Sequence, residues 1–515
     1  MARINSNIPS LIARSNLNRA NKDLDTRLQR LSTGLQINRG ADNPAGLIVS
    51  ERLRAEISGL NQAVDNSERA SSVIATTEGA LSEISDLLNS IRGLVVEAAN
   101  TGAVSDAERA ANQLQIDSAI ESITRISNSA SFGGLKLLNG ELDYILSGVD
   151  NSSIAKAQVY GANFAGQSDI QVDVNVVSSA QTANLYMRGD YPSAPTLNGL
   201  LQSSVTLEVA GPSGVQVIQF LSGTPITDVV AAVNSFKQAT GVSAALINAG
   251  SQSSGMVFSS AGYGSDAFVS VKRLGNSGDF FQTYELGNNA PVPATFSFSD
   301  APTLALLSQS NRDEGRDVTA VVNGALGTGS GLNISLQNTT SLTLELLLDE
   351  SFGTTTGSTS TFHITGGGAL YQLGGEVTSS QQINIGLASV AASRLGGTLI
   401  QGELQFLSSI KSGGDNDLNS RHFSNASSIL QTASEEISIT RGRLGAFERN
   451  TLQTNVRSLQ TAVENLTASE SNIRDADFAA ETSALTRAQV LTSTGTSVLT
   501  LANQQAQQVL QLLGG

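Results

Sequence analysis

The 515-residue chain has no cysteine and no tryptophan. Without cysteine there is no disulfide framework, no thiolate metal site and no Cys nucleophile. Aromatic residues are only 4% of the chain and charged residues 15%, whereas hydrophobic residues reach 40%. Its cores must rest on Leu, Ile, Val and Ala. That suits long helices better than a large enzyme, where aromatic side chains supply much of the buried area. No run approaches the ~18 apolar residues of a membrane span, so no membrane insertion is expected. The formal net charge is −15. An acidic surface repels phosphate backbones, and nucleic acid is not an expected partner. Residues 1–20 carry no apolar h-region and no small-residue cleavage site, so export would need a route other than a cleaved signal peptide. The length points to about two to four domains.

What is present is unevenly spread. No aromatic residue precedes Phe132 and only Phe478 follows Phe447. Seven of nine prolines lie between Pro192 and Pro302. The two ends are therefore of one kind and the middle of another. At the N-terminal end Leu17, Leu24, Leu28, Leu31 and Leu35 step by 7, 4, 3 and 4, a heptad-like stripe. After a glycine-marked break, Asn43 and Pro44 read as a helix cap and first helical position. Leu53, Ile57, Leu60 and Val64, then Leu88 and Ile91, continue an apolar row. A helix from Pro44 to Asn100 would be ~85 Å long at 1.5 Å per residue. Ser105 and Glu108 form a capping-box pattern for a third helix. Leu135 to Leu138 with Asn139-Gly140 read as a strand and hairpin turn. The C-terminal end mirrors this. Leu452, Val456, Leu459 and Val463 step by 4, 3 and 4. Arg474 to Asp477 break the pattern, and a last helix carries Leu491, Val498, Ala502, Ala506, Val509 and Leu513. Helices without aromatic residues lack a globular core of their own, so these stripes must be buried against each other or against other chains.

The middle reads as β-rich, one or two small domains. Val205 to Val209 and Val215 to Phe220 look like paired strands, and Thr224 with Pro225 like the start of a short helix ending at Gly241. A second stretch holds Val318 to Val322, an Asn323-Gly324 turn, and strands near Ile334 and Leu342 to Leu348. Nothing here points to catalysis. The two histidines, His363 and His422, have no helical partner, and no HExxH occurs. The glycine runs lack a Walker lysine, and Asp475 and Asp477 read as helix-capping carboxylates. No catalytic residue, metal site or cofactor is expected.

The ends carry long motifs. LQRLSTGLQINRGADNPAGLIVSERL (Leu28 to Leu53), INSN at Ile4 to Asn7, RGRLGAFERN (Arg441 to Asn450), SNIRDADFAAETSALTRAQVL (Ser471 to Leu491) and the tail Leu501 to Leu513 resemble the terminal signatures of bacterial flagellins. The resemblance covers about half the chain. It implies an α+β multidomain protein: a long antiparallel helical bundle or coiled coil from both ends, with a β-rich outer insert. It implies a terminal filament core from 1–42 plus 478–515, a helical rod with a β-hairpin from 43–175 plus 400–477, and a surface-exposed insert from 176–400. The implied protein is a secreted, non-enzymatic subunit of the bacterial flagellar filament, exported unfolded by the flagellar type III apparatus. Its implied partners are further flagellin subunits, hook-associated proteins, a filament cap and an export chaperone. The filament-core interface would be Leu17, Leu24, Leu28, Leu31, Leu35, Leu491, Val498, Ala502, Ala506, Val509 and Leu513. Some flagellins are recognised by a Toll-like innate immune receptor at positions matching Ser90, Leu94 and Gln113. Since Ser90 and Gln113 carry no charge here, weak recognition is expected. The alternative readings are a hook–filament junction protein, an enzyme domain carried on the filament, or an adhesive insert. The ends are expected to order only on polymerisation.

Overall fold

The computed structural model describes residues 7–164, 166–188, 199–248, 254–275, 282–286, 298, 305–337, 342–400 and 402–513. The longer helices among them are α1 (Ile8–Thr33), α2 (Pro44–Ala99), α3 (Asp106–Ser129), α4 (Ile226–Ser235), α5 (Phe423–Phe447), α6 (Gln453–Arg474) and α7 (Phe478–Leu513). A five-residue π segment, Glu448–Leu452, joins α5 to α6.

Local chemistry explains the helix ends. The Asn7 side chain accepts the Ser10 N–H at 3.1 Å. Gly34, at φ 74°, closes α1 in the left-handed conformation and donates its N–H to Arg30 O at 2.9 Å. Asn43 Oδ1 accepts the Gly46 N–H at 2.9 Å, with Pro44 opening α2. The capping box at α3 is complete: Ser105 Oγ accepts the Glu108 N–H, and Glu108 Oε2 accepts the Ser105 N–H at 2.8 Å.

The chain forms two compact units. The first comprises Met1–Ser71, Tyr371–Gln382 and Phe447–Gly515. Here α2 buries Ala63, Ser67 and Ala70, while Leu53, Ile57, Leu60 and Val64 are half-buried. The 371–382 segment is tied in by Asn455 Nδ2, which donates to Leu373 O at 2.7 Å. It passes so close to α2 that a Cβ at Gly59 would lie 2.9 Å from Gly375 O.

The second unit comprises Ser72–Leu370 and Ile383–Ala446. Its part of α2 buries Ile74, Thr77, Leu81, Ile84, Leu88, Ile91, Val95 and Ala98, which step by 3 and 4 throughout. Ile116, Ile120 and Ile123 of α3 and Ile429, Ala433 and Ile437 of α5 are buried likewise. A core lies between two sheets. One has the strand order Ala325–Leu326, Thr319–Val322, Ile170–Ser178, Thr359–Gly367, Tyr144–Ser147, and the other Thr328–Ser330, Asn333–Leu336, Leu342–Leu348, Ile154–Ala162. Strict alternation buries Leu342, Leu344, Leu346 and Leu348 against Val172, Val174, Val176, Phe362 and Ile364. A separate core gathers Leu185, Leu207, Phe258 and Val271 with Ile226, Val229 and Val233 of α4. The chain enters this second β domain after Ser178 and leaves it before Thr319, so one β domain is inserted into the other.

Two expectations change. The hairpin strands are Ser131–Phe132 and Leu135–Lys136, and the turn between them is Gly133-Gly134, at φ 58° and 91°, not Asn139-Gly140. Two adjacent glycines reach positive φ without a Cβ penalty, which Asn139 would pay. Thr224 does not cap α4: its hydroxyl donates back to Leu221 O at 2.8 Å, and Pro225 is the capping position. The Asn323-Gly324 turn stands where expected, at φ 49° and 81°, with Asn323 Oδ1 accepting the Asp173 N–H at 2.8 Å.

Candidate functional site

Within the first unit α1 and α7 pack side by side and run antiparallel. Asn7 Nδ2 donates to Ala502 O at 3.0 Å at one end, and Ser10 Oγ to Asn503 Oδ1 at 2.8 Å. At the other end Gln36 N–H donates to Arg474 O at 2.6 Å and Ala476 N–H to Gly34 O at 2.8 Å, forming a bridge between Leu35 and Asp475. The helix break is therefore a structural joint. Asp477 Oδ1 accepts the N–H groups of Ala479 and Ala480 at 2.9 and 3.2 Å, capping α7.

The shielded face of α1 runs through Ala13, Leu17, Ala20, Leu24, Arg27 and Leu31, and that of α7 through Glu481, Leu485, Ala488, Thr492, Gly495, Leu499 and Ala502. Both sets step by 4 and 3, the spacing of a coiled-coil seam. It is a thin seam: among the described residues of the two helices only Ala13, Glu481, Ala488 and Ala502 are buried. The helices approach closely because the seam side chains are small. A Cβ at Gly495 would lie 3.2 Å from Leu17 Cδ1.

Of the expected stripe, Leu17, Leu24 and Leu31 are half-buried in the seam and Ala502 is buried. Leu28 points outward at 47% exposure, and Leu35 follows α1 in the bridge with Asp475. Leu491 and Val498 are exposed at 51% and 49%, and they line an open groove of about 600 Å³ beside Ala13 and Ala20. The side chains of Ala506, Val509 and Leu513 lie outside the described residues. Ile8, Leu11 and Ile12 on α1, and Val490 and Leu501 on α7, are also exposed. The two ends are thus helical and paired in the single chain, where ordering only on polymerisation was expected. A second set of apolar residues, outside the Leu17, Leu24 and Leu31 seam, is left exposed on the same two helices.

Sequence reasoning missed a polar clip in this seam. Glu481 receives Arg27 Nη1 at 3.0 Å and Arg30 Nη1 at 3.1 Å. Burial pushes its carboxyl up, but the two guanidiniums outweigh this and hold it below the usual carboxylate range. The signal was available: Glu481 starts the 4-3 series that continues through Leu485 and Ala488.

The remaining positions separate. Leu88, Ile91 and Leu452 are buried, while Val456, Leu459 and Val463 are half-buried. Ser90 is exposed and Leu94 half-buried. Gln113, in contrast, is 2% exposed and fully engaged: Nε2 donates to Ile410 O and Asp117 Oδ1, both at 2.9 Å, and Oε1 accepts the Leu418 N–H at 2.8 Å. His363 Nδ1 contacts Asp169 Oδ2 at 2.9 Å and His422 Nδ1 contacts Asp415 O at 2.8 Å. Among the described residues no three His, Cys, Asp or Glu side chains converge as metal ligands, and no helix is long and apolar enough to cross a membrane.

Residues 4–143 match the family model for the bacterial flagellin N-terminal helical region, and residues 428–513 that for the bacterial flagellin C-terminal helical region. The chain is similar to the B-type flagellin of Pseudomonas aeruginosa, with 31% identity over 99% of both chains. It is 29% identical to the flagellin of Salmonella typhimurium, again over 99% of both. Among solved structures, hook-associated protein 3 of Legionella pneumophila aligns with 82% of this chain and 98% of its own, at 11% identity and a TM-score of 0.30. That likeness is too low to carry an argument.

Proposed function

The chain belongs to the bacterial flagellin family and is a structural subunit of the extracellular filament used for swimming, and we propose that its α1–α7 hairpin is the surface through which copies polymerise. One observation carries this reading. Ile8, Leu11, Ile12 and Leu28 on α1 and Val490, Leu491, Val498 and Leu501 on α7 are all between 47% and 59% exposed on one hairpin. So many large apolar side chains left exposed on one hairpin favour an interaction site over a solvated face. A contact of one face with a different face on the next copy does not close, and so propagates as a helix.

In this reading 1–42 with 478–515 form the filament core, 43–175 with 400–477 the rod, and 176–400 the outer surface. Leu17, Leu24 and Leu31 hold the hairpin together, and Leu28, Leu491 and Val498 meet neighbouring copies. The subunit performs no catalysis. It leaves the cell by the flagellar type III route, guarded by an export chaperone, and meets hook-associated proteins at the filament base and a cap at its tip.

The test is assembly of the purified chain. The parent chain is expected to form long filaments unaided. Leu11→Asp and Leu491→Asp place a carboxylate in surface that polymerisation buries. Both should give folded monomers with unchanged β-sheet signal and no sedimenting filaments. Normal filaments from both variants would remove the hairpin from the interface. Short stubs from the parent chain would favour a hook–filament junction protein instead.

A further inference from the structure

The inserted β domain contains a four-stranded sheet in the order Arg312–Glu314, Phe268–Leu274, Val205–Gly211, Gly214–Phe220. Its two edges differ. The Arg312–Glu314 edge is three residues long and charged, with an Arg312–Glu314 ion pair at 3.1 Å. Short, charged edges resist further strand pairing. The Gly214–Phe220 edge is seven residues long, and its sequence GVQVIQF holds no charge and no proline. Its register with Val205–Gly211 runs without a bulge, from Val205 opposite Phe220 to Gly211 opposite Gly214. Among the described residues no strand pairs with its other side. Val215 and Val217 are 60% and 49% exposed, and Leu221 just beyond is 68% exposed. Other edge strands are two to five residues long, such as Ala325–Leu326 and Val242–Leu246, apart from Ile154–Ala162, which has register shifts and receives the Gly386 N–H at Tyr160 O.

We infer that Gly214–Phe220 pairs antiparallel with the same strand of a second copy, so that outer domains associate two by two on the filament surface. The strand's chemistry selects this partner. A two-fold antiparallel pairing centred on Val217 sets Val217 against Val217 and Val215 against Gln219. That gives a β-branched cross-strand pair with no like charges opposed. In a chain of net charge −15, a strand that carries no charge adds no repulsion of its own between two acidic copies. The inference rests on the filament reading, because polymerisation supplies the second copy at high effective concentration.

The chain contains no cysteine, so one substitution introduces a unique thiol. Filaments of Val217→Cys, treated with a short bis-maleimide, are expected to yield covalent dimers on a denaturing gel. Filaments of Val177→Cys, equally exposed at 51% on the other β domain, should stay monomeric. A Val217→Cys chain that accepts a mono-maleimide in the filament yet gives no dimer overturns the pairing. A second measurement is independent of cross-linking geometry. Amide exchange across 214–220 should slow at least tenfold when the parent chain polymerises, and Val217→Lys filaments should lose that protection. Unslowed exchange in parent filaments also overturns it. Filament formation itself is scored by sedimentation of the parent chain, so failure of the filament reading is seen separately.

Discussion

Glu481 shows how much a single position can decide in a thin seam. Its carboxylate is held by two arginines of α1. With the two arginines still partly in water, the clip contributes about 1 kcal/mol. Because the folded-state carboxyl is depressed, its contribution is present above the unfolded glutamate value of ~4.3 and is lost as pH falls through the lower folded value. Helical signal from the monomer should therefore drop on acidification below about pH 4, and Glu481→Gln should blunt that step while lowering helicity at pH 7. A titration by circular dichroism on both chains checks it. Gln113 makes the opposite point. The family resemblance offers it as a receptor-contacting position, yet its side chain is consumed in holding Ile410 and Leu418 against α3. Gln113→Glu removes the donor to Ile410 O and sets a carboxylate beside Asp117, 2.9 Å from the present Nε2. The expected cost is ~1–3 kcal/mol, read from the urea midpoint. Ser90→Arg, on the exposed face, should cost nothing measurable in the same assay.

At the scale of elements, legibility followed the physics that made each element. Caps were readable because they are local: Asn43, Ser105 with Glu108, and the break at Arg474 to Asp477 all stand where their side chains can reach nearby N–H groups. Ser105→Ala should accordingly lower stability by ~1 kcal/mol, seen as a lower thermal midpoint of the helical signal. Strands that bury one face were also readable, since Leu342 to Leu348 alternate without exception. The pairing of α1 with α7 was only partly readable. Leucine and valine stand out in a sequence, but this seam uses Ala13, Ala20, Ala488 and Gly495 to bring two backbones close. Leu28, Leu491 and Val498 sit instead on outward faces. Periodicity locates a helix, but it does not say which of two apolar rows meets the partner helix and which meets another chain. The nesting of one β domain inside the other was hidden for a related reason. It depends on Ile170–Ser178 pairing with Thr319–Val322 and Thr359–Gly367, contacts far apart in the chain.

Over the whole molecule, stability is distributed unequally, and the distribution fits a subunit that finishes folding in a polymer. The α2–α3–α5 rows and the two β cores bury Leu, Ile, Val and Phe completely. Among the described residues, the 26-residue α1 and the 36-residue α7 bury three alanines and one clipped glutamate. A buried methyl is worth ~0.8 kcal/mol, whereas ordering backbone costs ~1–2 kcal/mol per residue. The hairpin is therefore expected at the low-stability end of the chain. On the proposed interface each outward leucine and valine would lose its remaining exposed surface, adding ~1 kcal/mol or more apiece. Enough such residues turn a fluctuating hairpin into a fixed one. Amide exchange should consequently be fast along α1 and α7 in the monomer and slow along α3 and Leu342–Leu348. In filaments α1 and α7 should slow by at least a hundredfold, ~2.7 kcal/mol, while α3 changes little. Protection of α1 and α7 in the monomer equal to that of α3 would mean that the hairpin is complete in one chain and that assembly rests on other surfaces.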